Sequence, residues 1–205
     1  MKASIPLLLL ALAGAASAAD TGFYTGGAWS TVSGDYAPTR RIAGLAGTSG
    51  IPVGSIDTRD LKPLGASAKR AFAGYRLFDW LAIEGDYNHF AGNSGRTGII
   101  CVAAPCPSRE RSAVNSSSLA VLGLYPRGPV DFFARAGVMQ WRATLDVFNP
   151  DESPLATSRD SGSNLAYGAG VQFHAQWLLT RLEYQRLKFG ADEADLFSLG
   201  FAYTF

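Results

Sequence analysis

Residues Asp195 to Phe205 read DLFSLGFAYTF. Successive side chains of a β-strand point to opposite faces, so Phe197, Leu199, Phe201, Tyr203 and Phe205 share one face. Leu196, Ser198, Gly200, Ala202 and Thr204 share the other. The first face is wholly greasy and aromatic; the second is small and mostly weakly polar. In water such a strand would be an aggregation hazard. In a bilayer its aromatic face meets lipid and its small face lines a narrow lumen. The pattern predicts one strand of a transmembrane β-barrel.

The opposite end of the chain agrees. Met1 to Ala19 carries Lys2, an apolar run from Ile5 to Ala13, and Ala16-Ser17-Ala18, the parts of a secretory signal peptide. The expected domain plan is therefore a signal peptide over residues 1–18, cleaved to leave Ala19 or Asp20 first, and a barrel over 19–205. The alternative, an uncleaved anchor, suffers from an apolar run about half the length that a spanning helix needs. Farther along, no stretch approaches twenty apolar residues. An exported chain with 47% hydrophobic residues then either folds in the periplasm or crosses the outer membrane as strands.

Eighteen Lys and Arg against seventeen Asp and Glu leave a formal charge of +1, which gives no reason to expect a nucleic-acid partner. The mature length suits one domain. Cys101 and Cys106 enclose Val-Ala-Ala-Pro in a segment rich in Gly, Ser and Pro. In an exported chain this spacing reads as a disulfide pinning a loop tip, with free thiols as the alternative. A metal site would need further Cys or His nearby, and His89 and His174 are distant in sequence. No cofactor is implied.

Seven further segments alternate like the last. The eight expected strands are Gly22 to Val32, Ser67 to Leu77, Trp80 to Ala91, Val114 to Tyr125, Val130 to Ala143, Asn164 to His174, Trp177 to Lys188 and Asp195 to Phe205. Each is close to the length of a tilted membrane strand. Phe78-Asp79, Arg127-Gly128-Pro129 and Ala175-Gln176 are tight connections, as periplasmic hairpins are. Residues 33–66, 92–113 and 144–163 are long and rich in Gly, Ser, Pro, Asp and Arg, as external loops are, whereas the fourth, near 189–194, is brief. The fold class is thus all-β: an eight-stranded antiparallel up-and-down transmembrane barrel with both termini on the periplasmic side. A periplasmic β-sandwich would also alternate. Against it stand Phe23, Trp29, Tyr75, Tyr87, Tyr125, Tyr184, Tyr203 and Phe205, which fall near strand ends, where aromatics collect at membrane interfaces.

Thr180-Arg181-Leu182-Glu183-Tyr184-Gln185 resembles the seventh strand of the outer-membrane protein A (OmpA) transmembrane-domain family. Ala71 to Tyr75 and Ile83 to Tyr87 resemble its second and third strands, Ala134 to Ala143 its fifth, and Leu199 to Phe205 its last. The likeness spans most of the mature chain and is absent from the long loops. A terminal Phe on such a strand also resembles the signal read by the barrel-assembly machinery, which marks Tyr203 and Phe205. The family's periplasmic peptidoglycan-binding domain has no counterpart here, so a stand-alone barrel is expected.

Strand parity places Arg181, Glu183 and Gln185 on one face, Glu84 and Asp86 on another inward face, and Arg135 opposite Phe132, Ala134 and Val138. Charges in a lumen that side chains fill must find partners. The resemblance implies that Glu84 and Arg181 occupy the places of an interior ion pair thought to plug the lumen and, on exchange of partners, to open a narrow path. Two departures bear on that switch: Gln172 stands where the family has a second gating carboxylate, and Leu122 where it has a lysine. Glu183 or Asp86 are the candidate substitutes. Parity leaves open which face of the fourth strand, and of Arg70 on the second, points inward.

An enzyme reading finds no support in motif. Neither His89 nor His174 sits in a visible Ser or Asp constellation, and the His-x-Ser-Asn pattern of barrel deacylases is missing. The expected function is a structural and envelope-integrity role with surface interaction through the loops. A narrow pore and an adhesin or host-resistance factor are the rivals. Expected partners are outer-membrane lipid and lipopolysaccharide, the assembly machinery, and a host surface or phage at the loops. Arg40, Arg41, Arg59, Lys62, Arg109 and Arg111 suit anionic lipid cores or glycans, and Asp57, Asp60 and Glu110 balance them in the plainer reading of solvated charge.

Overall fold

A computed structural model describes residues 22–33, 53–56, 67–92, 94–95, 99–101, 109–149, 151–189 and 192–205. Eight long strands follow the alternation: β1 (Gly22–Ser33), β2 (Ser67–Phe78), β3 (Leu81–Phe90), β4 (Arg109–Arg127), β5 (Val130–Phe148), β6 (Pro154–Ala175), β7 (Leu178–Phe189) and β8 (Asp192–Thr204). Each pairs antiparallel with its neighbours in sequence, and β8 returns to β1 from Tyr24↔Thr204 to Ser33↔Asp195. That last ladder closes the barrel. Closure removes the sheet edges that hydrocarbon could not solvate.

Three turns join strands at the periplasmic end, at residues 79–80, 128–129 and 176–177. They sit up to one residue from the positions expected, because ladder pairing continues through Phe78↔Leu81, Arg127↔Val130 and Leu178↔Ala175. Gly128 (φ 66°) and Gln176 (φ 54°) adopt the left-handed backbone that matches strand twist across a two-residue hairpin.

At the other end the structure departs from the sequence reading. β4, β5 and β6 run for 19, 19 and 22 residues, so 109–113, 144–148 and 154–163 are strand rather than loop. Residues 109–113 and 157–163 are polar on both parities, and Thr144 and Asp146 interrupt the apolar outward face of β5, so a search for apolar alternation passes over these stretches. Backbone ladders and cross-strand polar pairs hold them: Thr157 Oγ1 donates to Asp146 Oδ1 at 2.8 Å. The sheet ends in a turn where Asn149 N donates to Ser153 O. There the Ser153 hydroxyl and N–H hold the Asp151 carboxyl below its usual range. Ser94–Gly95 adds to the β4 edge, and Val53–Ile56 pairs with Ile99–Cys101, joining the first two external loops. Cys101 lies opposite Val53. Cys106 and the expected signal peptide lie outside the described residues, as do Arg40, Arg41, Arg59 and Lys62.

The outside of the barrel carries a broad apolar band. Phe23, Trp29, Tyr75, Tyr87, Tyr125, Tyr184, Tyr203 and Phe205 all project outward, with Trp29 at 68% exposure. Only lipid makes such a surface stable. The lumen is layered along its axis. Toward the external end, Phe90, Met139, Trp141, Leu187, Phe189 and Leu196 form a buried apolar layer. The Phe189 ring meets Phe90 edge-on at 6.1 Å and Trp141 at 5.7 Å. Toward the periplasm, Phe72, Leu122, Leu124, Phe133 and Leu179 form a second. Phe189→Ala should cost about 3–5 kcal/mol in urea unfolding from lipid vesicles; a loss under 1 kcal/mol would mean that the external layer is not close-packed.

Candidate functional site

Between the two apolar layers the strands deliver charge. β2 supplies Arg70, β3 Glu84 and Asp86, β5 Arg135, and β7 Arg181 and Glu183, all buried. Arg70 lies 2.6 Å from Glu84, 2.7 Å from Glu183 and 3.3 Å from Asp86. Arg135 lies 2.6 Å from Asp86, 3.0 Å from Glu183 and 3.2 Å from Glu84. Arg181 pairs with Glu84 at 2.6 Å and stands 3.9 Å from Glu183. Three guanidinium groups thus face three carboxylates, and the formal charge of the lattice is zero.

Neutral side chains complete it. Tyr24 Oη donates to Glu84 Oε2 at 2.9 Å, while Ser118 and Asn88 each donate to Asp86 at 2.7 Å. The Arg181 guanidinium packs over the rings of Phe72 and Phe133, 4.9 Å from each centroid, so the lower apolar layer also solvates a cation.

A second cluster lies at the periplasmic mouth. Asp131 Oδ2 accepts from Arg76 Nη1 at 2.7 Å and lies 2.8 Å from His174 Nε2. Gln172 joins the two clusters: its Oε1 accepts from Arg181 Nη2 at 2.9 Å and its Nε2 donates to Asp131 at 3.0 Å. An amide is needed there, since a carboxylate has no proton to give Asp131. Tyr24, Arg76, Leu124, Asp131, His174 and Leu179 help line a vestibule of about 240 Å3 at this mouth.

The structure therefore brings together all six residues singled out in the lumen: Glu84, Asp86, Arg135, Gln172, Arg181 and Glu183. It adds Arg70, whose inward direction parity had left open because Lys69 makes the other face of that segment charged too. It also adds Tyr24, Asp131 and Arg76. Leu122 points inward into the lower apolar layer. His174 does meet an Asp, contrary to the sequence reading, because β5 and β6 pair Asp131 with Gln172 two residues away. No Ser, Thr or Cys is hydrogen-bonded to it among the described residues. His89 faces outward with Nδ1 2.6 Å from Asn115 Oδ1. Among the described residues no group of His, Cys, Asp and Glu is placed to hold a metal ion.

Comparison with known proteins agrees with this architecture. The barrel is similar to the crystal structure of Ail, the attachment invasion locus protein of Yersinia pestis, with a TM-score of 0.53 and 16% identity over 90% of this chain and 97% of that one. Ail has also been crystallised with the heparin analogue sucrose octasulfate. Neisserial surface protein A is similar at TM-score 0.55 and 16% identity, again over 90% and 97% of the two chains. No curated protein matches the chain by sequence. The model of the outer membrane protein beta-barrel domain matches residues 4–205. By its sequence, its closed eight-stranded sheet and its lipid-facing exterior, the chain belongs to the outer-membrane protein β-barrel domain family.

Proposed function

We propose that this barrel is a sealed scaffold of the outer membrane that stabilises the envelope and carries interaction surfaces on its external strands and loops. The observation that carries this reading is the external apolar layer. A path that opened between Glu84 and Arg181 would still end at Phe90, Met139, Trp141, Leu187, Phe189 and Leu196, all 5% exposed or less. Ions do not cross such a layer without displacing several packed side chains. The charge lattice then serves folding: it fills the middle of the lumen with groups that bind one another.

The rest of the reading follows the sequence. Residues 1–18 direct export and are removed, 19–205 form the barrel, and Tyr203 and Phe205 serve recognition by the assembly machinery. Cys101 and Cys106 pin the second external loop as a disulfide. No catalytic role is assigned. Arg109, Glu110 and Arg111 belong to β4 rather than to a loop, which gives the external surface a rigid base. The Ail complex with the heparin analogue sucrose octasulfate supports sulfated glycans as one candidate ligand class for the external surface.

The rival pore is tested in planar bilayers. Wild type, Glu84→Ala and Arg181→Ala are expected to be electrically silent, because the apolar layers above and below the lattice stay packed in each. Steps from wild type or from Glu84→Ala alone would overturn the sealed reading. Glu84→Ala is also expected to cost about 3–5 kcal/mol, the usual penalty for orphaning buried ions, so heat-modifiable gel migration must show that each sample has folded.

Gln172→Glu separates the two readings further. It restores the carboxylate that a partner-exchanging gate would use, so a gate predicts raised conductance. As a strut, the same change takes a donor from Asp131 and should cost about 1–3 kcal/mol in urea unfolding while the barrel stays silent.

A further inference from the structure

On the outside of β4, β5 and β6, three rows cross the boundary between lipid and water. The lowest is Leu119, Val138 and Leu165; the next is Ser117, Gln140 and Ser163; the third is Asn115, Arg142 and Ser161. All lie on the strand parity that faces away from the lumen. The surface is hollow here, because serines replace the large side chains found elsewhere on the exterior. Two adjoining concavities of about 500 and 470 Å3 share Ser117, Gln140 and Ser163. The upper reaches Tyr87, Asn115 and Arg142, and the lower ends on Leu119 and Val138. Together they make one trough that starts polar and ends in the apolar band.

Its groups are poised for a ligand. Arg142 is exposed and makes no ion pair with a described residue. The contact of His89 with Asn115 Oδ1 fixes that amide and leaves its NH2 free to donate. Tyr87, half exposed on β3, offers a ring face beside the serine floor.

We infer that this trough binds the phosphorylated, acylated sugar headgroup of an outer-leaflet glycolipid. Arg142 takes the phosphate, as a planar guanidinium does. Asn115, Gln140 and the serines take sugar hydroxyls, and Leu119 and Val138 guide the first acyl chain downward. A soluble glycan would leave the apolar end of the trough unfilled, and a simple phospholipid would leave the amides and hydroxyls without sugar partners. The inference rests on the outer-membrane placement of the barrel and assigns one specific lipid contact to it.

The test uses the full folded chain in nanodiscs containing phosphatidylethanolamine, phosphatidylglycerol and bisphosphorylated lipid A, transferred to detergent for native mass spectrometry. Wild type should retain one lipid A in preference to phosphatidylglycerol at equal concentration. Arg142→Gln should weaken retention about tenfold, the worth of one charge-assisted contact, and Ser163→Phe should block it by filling the trough. Both changes lie on the outer surface, and heat-modifiable migration checks that they fold. Equal retention by either variant, equal retention of phosphatidylglycerol, or no lipid A on wild type would overturn the site. A sample that folds and stays silent in bilayers but retains no lipid A would sink this inference alone; one that conducts would sink the sealed scaffold and leave the lipid contact standing.

Discussion

The lumen of an eight-stranded barrel is too narrow to stay wet and too long to be filled by chance, and every charge in it must be answered within reach. An unanswered ion in such an interior costs several kcal/mol. Here Arg70, Arg135 and Arg181 meet Glu84, Asp86 and Glu183 in a lattice in which each guanidinium touches at least two carboxylates. The contributing strands are β2, β3, β5 and β7, so the pairing is satisfied only when the sheet has closed in the right register. A one-residue slip of any strand would send its charges to lipid. The lattice therefore specifies register, whatever its net contribution to stability.

Placement of the apolar layers follows from the same requirement. Ion pairs are strongest where water is excluded, and rings above and below exclude it. Phe72 and Phe133 go further by stacking on Arg181, so the boundary between layers is itself a binding contact. Gln172 then carries the network past the lower layer to Asp131, His174 and Arg76 at the periplasmic mouth. A neutral amide suits this crossing because it both accepts and donates without adding a charge that would need its own partner.

The strands that cross the membrane were legible because lipid on one side and a packed lumen on the other impose a strict period of two. Phe197 to Phe205 and Leu182 to Tyr184 needed nothing else. The parity that identified Glu84, Asp86, Arg135, Arg181 and Glu183 as inward failed for Arg70, because Lys69 beside it lies at the lipid boundary and erases the apolar signal of the outer face. It failed again for 109–113, 144–148 and 154–163. Above the membrane the outward face of the sheet meets water instead of lipid, so it is free to be polar, as Arg111, Thr144, Asp146, Arg159 and Ser161 are. Asp131 and His174 were missed for a different reason: they meet across a ladder between two strands, and register is not written in either strand alone.

The long β4, β5 and β6 also change what the external end is. A loop presents side chains at the cost of ordering them, whereas a strand continuing from a closed barrel has already met that cost through its ladder. Arg111, Arg142 and Arg159 are therefore held on a rigid sheet that rises directly from the lipid boundary, all on the outward parity. Position along that sheet sorts them. Arg142 stands one row above the serines and two above Leu119, Val138 and Leu165, within reach of a lipid headgroup. Arg159 is a row higher, and Arg111 a row above that, where it leans over Phe148 and faces what approaches from outside. A single strand parity, set by the need to keep lipid on one side and a neutral lattice on the other, thus distributes the surface cations between membrane and exterior.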